Sequence, residues 1–203
     1  MRKLIGITTP YFFDGEAAIL TQLLEEGITR LHIRKPGGEL SDMELLIRSI
    51  PAYYYPQISL HDCFQLAEKY SLGGLHLNSR NTIIPTNFSG ILSRSLHNLD
   101  EIDTDTHFDY MFLSPIFDSI SKVDYHSHFS LEELKRLSDL NLINNRIIAL
   151  GGIDETTIPL LDGINFGGVA VLGGLWGNDR EHKTEDTLRR FKNIRLLMNE
   201  INQ

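Results

Sequence analysis

Short apolar runs rich in branched and aromatic residues recur along the chain, separated by segments whose apolar positions follow a helical spacing. The runs are Leu4 to Thr8, Arg30 to Ile33, Gln57 to Leu60, Gly74 to Leu77, Gly90 to Ser93, Asp109 to Leu113, Ile147 to Leu150 and Val169 to Leu172. Each has the length and near-continuous apolarity of a parallel strand buried on both faces. Between them, Glu16 to Glu26 repeats Ile19, Leu20, Leu23 and Leu24 at helical spacing, and Leu131 to Leu140 opens with the capping pair Ser130 and Glu133. Strand and helix thus alternate through eight units of about 25 residues, the rhythm of a small (β/α)8 barrel with short connections. The fourth and fifth units are the thinnest, because Asn78 to Ser89 and His97 to His107 hold too few periodic apolar residues for long helices. A doubly wound sheet is the rival architecture. Eight strands, and no G-x-G-x-x-G turn after the first, favour the barrel. No linker, repeat or low-complexity tract divides the 203 residues, so a single α/β barrel domain over 1–203 is expected.

Composition narrows the partner. With 41% hydrophobic and 23% charged residues the chain can bury a full core. A formal charge of -8 and the lack of any Lys/Arg block argue against nucleic acid or an acidic membrane as the main ligand, so anions must be caught by local groups. Cys63 is the single cysteine, which rules out an internal disulfide framework. No long apolar signal region follows Met1-Arg2-Lys3, and no stretch approaches bilayer-spanning length; a cytoplasmic protein is expected.

Two strand ends carry glycine pairs: Arg146-Ile-Ile-Ala-Leu150 leads into Gly151-Gly152, and Gly168-Val-Ala-Val-Leu172 into Gly173-Gly174. Turns of this kind let a barrel hold a phosphate on bare backbone N–H groups, so a phosphorylated small molecule is the expected ligand. In a barrel the chemistry sits where strands stop. Those positions are Thr8 and Thr9, His32 and Arg34, His61 and Asp62, His76 and Asn78, Ser95 and His97, and Ser114. Four of the eight histidines fall on this predicted rim, although a single one is more often a hydrogen-bonded structural residue. An imidazole metal site is disfavoured by spacing: there is no H-x-H at a strand end and no H-E-x-x-H, and His126-x-His128 lies in a predicted loop. Arg34 offers a fork of donors for an anion, unless it is a surface cation beside Lys35. The loop Leu113-Ser-Pro-Ile-Phe-Asp-Ser-Ile-Ser-Lys122 adds Ser119, Ser121 and Lys122, which can fold over a phosphate or act as ordinary polar loop residues.

Taken in order, Leu31-His-Ile-Arg34, His61-Asp62, Ser95-Leu-His97, Ser114-Pro-Ile-Phe117 with Lys122, Ala149-Leu-Gly-Gly-Ile153 and Gly168-Val-Ala-Val171 resemble the thiamine phosphate synthase and thiazole tautomerase family over nearly the whole chain. The resemblance implies a (β/α)8 barrel, usually oligomeric, that handles the thiazole phosphate half of thiamine. In the synthase, magnesium and basic side chains bind a hydroxymethylpyrimidine diphosphate, which the thiazole nitrogen displaces. That branch implies Gln-x-Arg-x-Lys after the second strand, where this chain has His32-Ile-Arg34-Lys35-Pro36. It implies two magnesium aspartates, of which Asp62 is kept and Asn81 replaces the other. Gly173 stands where a serine usually follows the last strand. These departures fall on the diphosphate and metal side. The pattern is therefore more similar to the tautomerase branch, which needs no metal and for which His97 matches the acid/base histidine. The resemblance then assigns Arg34 and Lys122 to the substrate's anionic groups, with His32, His61, Ser95, Ser119, Ser121, Gly151, Gly152, Gly173 and Gly174 lining substrate and phosphate. The alternatives are a synthase that uses Asp62 on Mg2+, and a regulatory protein that binds a thiazole phosphate without chemistry.

Overall fold

In the computed structural model, residues 2–98, 101–102, 107–118, 129–177 and 181–201 are described. The strands are β1 (Lys3–Ile7), β2 (Arg30–Ile33), β3 (Ile58–Leu60), β4 (Gly74–Leu77), β5 (Ile91–Leu96), β6 (Tyr110–Leu113), β7 (Ile147–Leu150) and β8 (Gly168–Val171). All pair in parallel with their sequence neighbours, and β8 pairs with β1 to close an eight-stranded barrel. The expected (β/α)8 architecture is present. Its helices are α1 (Glu16–Glu25), α2 (Leu40–Arg48), α3 (Gln65–Tyr70), α4 (Leu131–Asp139), α5 (Gly173–Trp176) and α6 (Thr184–Glu200). Among the described residues, no α-helix stands between β4 and β5 or between β5 and β6, as the sparse periodicity there predicts. Nor is any described helix long and apolar enough to cross a membrane.

Strand alternation sorts side chains into two cores. Leu31 and Ile33 of β2 and Leu75 of β4 point outward into the large cluster against the helices, beside Ile19, Leu20 and Leu23 of α1. Ile5, Ile7, Tyr110, Phe112, Ile148 and Ala170 form a separate inner cluster. On the outer side, Ser130 caps α4 by accepting from the Glu133 N–H at 3.1 Å, as its capping pair predicts. Strand β8 starts one residue earlier than its apolar run, and Gly168 is required there. A Cβ at Gly168 would stand 2.0 Å from the Lys3 carbonyl oxygen, so only glycine lets β8 close on β1.

One charged pair fixes the loop from β1 to α1 over the barrel mouth. Lys35 is fully buried, not a surface cation: its Nζ meets Glu16 Oε1 at 2.5 Å and donates to the Tyr11 carbonyl at 2.7 Å. The ammonium also lies 4.9 Å from the Phe12 ring centroid. Burial pushes the Glu16 carboxyl up and the Lys35 amine down, and each is partly opposed by the other's charge.

Lys35→Met is expected to destabilise the fold by about 3–5 kcal/mol near neutral pH, because Glu16 is left buried and unpaired. A carboxyl whose folded pKa lies above its unfolded value binds a proton on folding. The deficit should therefore be smallest at pH values below the ordinary carboxylate range and grow as pH rises through the raised value. Urea unfolding at a series of pH values checks this; a loss that is the same at every pH would contradict it.

Candidate active site

The strand ends converge on a mouth built around Asp62, the second residue past β3. Thr8 sets the neighbouring wall: its N–H donates to the His32 carbonyl at 3.0 Å, and its hydroxyl accepts the Arg34 N–H at 3.0 Å. Arg34 is half-buried, and its guanidinium hydrogen-bonds to no other described residue. Its pKa is lowered by burial and by the nearby Arg80 charge, against the opposing pull of Asp62. Asp62 Oδ1 accepts from Arg80 at 3.2 Å and from Asn81 Nδ2 at 3.0 Å. The other oxygen, Oδ2, is buried and unpartnered among the described residues. The loop after β4 is braced for this purpose. Asn78 and Asn81 bond to each other's backbone at 3.1 and 3.0 Å, and both side-chain amides donate to the His61 carbonyl, at 2.8 and 3.0 Å. With Nδ2 so engaged, the Asn81 amide oxygen is uncommitted.

Beneath the mouth lies a polar half of the barrel interior. His32 is fully buried, a layer below the expected rim, with Nδ1 2.9 Å from His61 Nε2 and Nε2 2.5 Å from the Tyr110 hydroxyl. His76 is also inside, 2.9 Å from Ser93 Oγ and 3.1 Å from Ser95 Oγ. Strand parity explains the displacement: His32 and His76 stand at inward positions one residue before their strands end. Of the proposed substrate contacts, His32 therefore does not reach the mouth, and Ser95 is engaged with His76. His61 keeps 5% exposure at the boundary. Burial and neighbouring charges hold all three histidines below their ordinary pKa, His76 at about 3, so they are neutral imidazoles. The three also come within metal-binding distance of one another, which chain spacing argued against. The spacing argument fails because β2, β3 and β4 are adjacent, so residues far apart in sequence share one layer.

The opposite side of the mouth holds the glycine turns. Gly151 and Gly152 adopt φ of +96° and +62°, and a Cβ at Gly152 would lie 2.7 Å from Phe117 Cβ. The segment after β6 is tied down here: the Phe117 N–H donates to the Gly151 carbonyl at 3.1 Å. The turn after β8 rests on the turn after β7, since a Cβ at Gly174 would be 2.3 Å from the Ile153 carbonyl oxygen. The N–H groups of Gly152, Gly173 and Gly174 donate to no other described residue. His97 is exposed on the β5 side, and its Nδ1 lies 3.1 Å from the Ser114 carbonyl oxygen. A carbonyl only accepts, so Nδ1 carries the proton and Nε2 is left as a base. Ser119, Ser121 and Lys122 lie outside the described residues. Arg80 and Tyr110 were not singled out by the sequence; the one signal for Arg80 is its place beside Asn81, and Tyr110 reads as an ordinary strand aromatic.

A family model described as thiamine monophosphate synthase matches residues 4–175. The chain belongs to the thiamine monophosphate synthase family. A thiamine-phosphate synthase of Limosilactobacillus reuteri (strain DSM 20016) is 26% identical over 186 residues, covering 84% of each chain. The solved thiamine phosphate pyrophosphorylase from Bacteroides thetaiotaomicron superposes with a TM-score of 0.87 at 36% identity, over 97% of this chain and 98% of that one. The thiamine phosphate pyrophosphorylase from Pyrococcus furiosus shares the fold, with a TM-score of 0.77, 19% identity and coverage of 99% and 97%. Membership in the thiamine monophosphate synthase family places the chain among enzymes. The relatives are named for the synthase, not for the tautomerase to which Pro36, Asn81 and Gly173 lean.

Gly174→Ala should force the two glycine turns apart and destabilise the fold by about 1–3 kcal/mol. Heat denaturation with and without added inorganic phosphate tests the site as well as the packing. The parent chain should be stabilised by phosphate and the variant should not; equal stabilisation of both would remove the turns from the phosphate site.

Proposed function

We propose that the chain is a thiamine phosphate synthase, joining hydroxymethylpyrimidine diphosphate to a thiazole phosphate and releasing diphosphate. The observation that carries this reading is the Asp62 carboxylate, whose buried Oδ2 lacks a partner while Oδ1 is held by Arg80 and Asn81. Leaving a buried carboxylate oxygen unsatisfied costs free energy that a bound cation recovers. Asp62 and the Asn81 amide oxygen fit a hard cation that takes its remaining oxygens from water and diphosphate. One carboxylate in place of two is compatible with that donor set. Magnesium, when bound there, would neutralise charge on the departing diphosphate.

The protein's own groups divide the work across the mouth. Arg34 and Arg80 supply fixed positive charge on the diphosphate side, where the C–O bond breaks and the leaving group takes the electron pair. The N–H groups of Gly152, Gly173 and Gly174 hold the thiazole phosphate on the other side, so that its ring nitrogen faces the pyrimidine methylene carbon. The family resemblance and its position in the sequence after β6 assign Lys122, which lies outside the described residues, to the diphosphate with them.

A second reading has its own observation. His97 presents a free Nε2 base, which suits proton transfer on a carboxylated thiazole phosphate and needs no metal. A chain that binds a thiazole phosphate without turning over either substrate is the third outcome.

The test supplies purified protein with hydroxymethylpyrimidine diphosphate, thiazole phosphate and magnesium, and follows thiamine phosphate by oxidation to its fluorescent product. Product above a no-enzyme control is expected. Asp62→Asn and Arg34→Ala should each lower kcat/KM by about 10²–10³-fold, the usual effect of losing a group that stabilises a developing anion, Arg34 by its own charge and Asp62 through the cation it would hold. His97→Ala should leave the coupling rate largely intact. No coupling, together with His97-dependent aromatisation of the carboxylated thiazole, would replace this reading with the tautomerase.

A further inference from the structure

His32, His61 and His76 are the largest investment in polarity that the barrel interior makes, and the synthase chemistry at the mouth uses none of them directly. They come from three adjacent strands. One ring nitrogen of each lies within 4.8 Å of the other two, and all three residues are buried. We propose that these histidines form a second, separate metal site, a three-imidazole centre for a zinc-like divalent ion beneath the mouth.

The donor set selects the ion class. Neutral imidazole is a borderline ligand suited to zinc, nickel, cobalt or copper, and no carboxylate joins the cluster to favour magnesium or calcium. Three histidines with a fourth position open is a familiar arrangement for zinc. Here the open side is that of His61, which borders the mouth and precedes Asp62.

The geometry of the closest pair supports the assignment. His32 Nδ1 and His61 Nε2 face each other at 2.9 Å and share one proton. Moving that proton to the far nitrogen of its ring leaves two lone pairs aimed into the same gap. Zinc holds nitrogen at about 2.0–2.1 Å, which at a tetrahedral angle sets neighbouring nitrogens about 3.3 Å apart. The pair needs to open by only a few tenths of an ångström. His76, whose ring now stacks on His61 with centroids 4.1 Å apart, must release Ser95 Oγ from Nε2 and turn that edge toward the ion.

The outer groups are also suited to metal binding. Ligating histidines generally donate their other N–H to an oxygen, which fixes tautomer and ring orientation. His32 has the Tyr110 hydroxyl at 2.5 Å for this, and His76 has Ser93 Oγ at 2.9 Å. The Tyr110 oxygen carries lone pairs as well as a proton, so it can accept from His32 Nε2 in that arrangement. The change is a tautomer shift within neutral groups: no proton leaves the protein and no charge other than the ion's is added.

Untagged protein, stripped with a chelator, should bind Zn2+ and Co2+ at one ion per chain, and Co2+ should give the intense visible absorption of a four-coordinate nitrogen site. Losing an outer-shell partner costs about 10–100-fold in affinity, so removing a ligand in His61→Asn or His76→Asn should cost roughly 100-fold or more. Asp62→Asn should leave Zn2+ affinity unchanged, which separates this site from magnesium at the mouth. Nitrogen-15 NMR of the parent chain covers the case in which a variant does not fold: Zn2+ should move the ring-nitrogen shifts of His32, His61 and His76 together. Absence of Zn2+ and Co2+ binding, or binding that persists in folded His61→Asn and His76→Asn, or shifts confined to other histidines, would overturn the proposal. Its failure would leave the synthase assay untouched.

Discussion

The hydrogen bond between His32 and His61 joins β2 to the end of β3 in a space almost closed to water, and the mouth is arranged above that junction. A buried imidazole without a partner costs free energy, so the first histidine in the barrel demands neighbours that can donate or accept. Tyr110 answers on one side, and Ser93 and Ser95 serve His76 on the other. The result is an interior split by polarity. Strands β6, β7, β8 and β1 contribute Phe112, Ile148, Ala170, Ile5 and Ile7, while β2 to β5 contribute the histidines and serines. This hydrogen-bonded cluster is rigid, and it places the His61 carbonyl where Asn78 and Asn81 can grip it. Through that grip Asn81 comes to hold Asp62, so the polarity of the core and the position of the mouth carboxylate are one problem.

The mouth also shows why a net charge of -8 is compatible with an anionic ligand. Half-buried Arg34 and exposed Arg80 sit beside the Asp62 carboxylate, where charges at close range outweigh the screened field of the distant surface. Opposing them across the mouth is a bare backbone surface whose donors carry no formal charge. The mouth thus offers an anion two kinds of donor, ionic on the β2 to β4 side and dipolar on the β7 to β8 side.

Apolar runs and glycine pairs were legible in the sequence because they encode local requirements. The runs from Arg30 to Ile33, Gly74 to Leu77 and Ile147 to Leu150 coincide with β2, β4 and β7, and both glycine turns fall where strands stop. Depth was harder to read. His32 and His76 look like rim residues when strand ends are read off, yet inward parity places them a layer lower. Lys35 looks like a companion to a surface Arg34, and only the return of α1 brings Glu16 to cover it. Arg80 has no pattern of its own; its role depends on the fold of a loop around Asn78. Such cases share a cause: each depends on contacts between elements, which periodicity along one element does not record.

Closure of the ring has a consequence for the order of events during folding. β1 pairs with β2 on one side, but its other edge waits for β8, whose Gly168 aligns with Lys3. Until then two strand edges stay open. The glycine turn after β8 borders that seam and rests on the turn after β7. A bound anion there would hold the seam like a clasp, so occupancy of the pocket and completeness of the ring report on the same event.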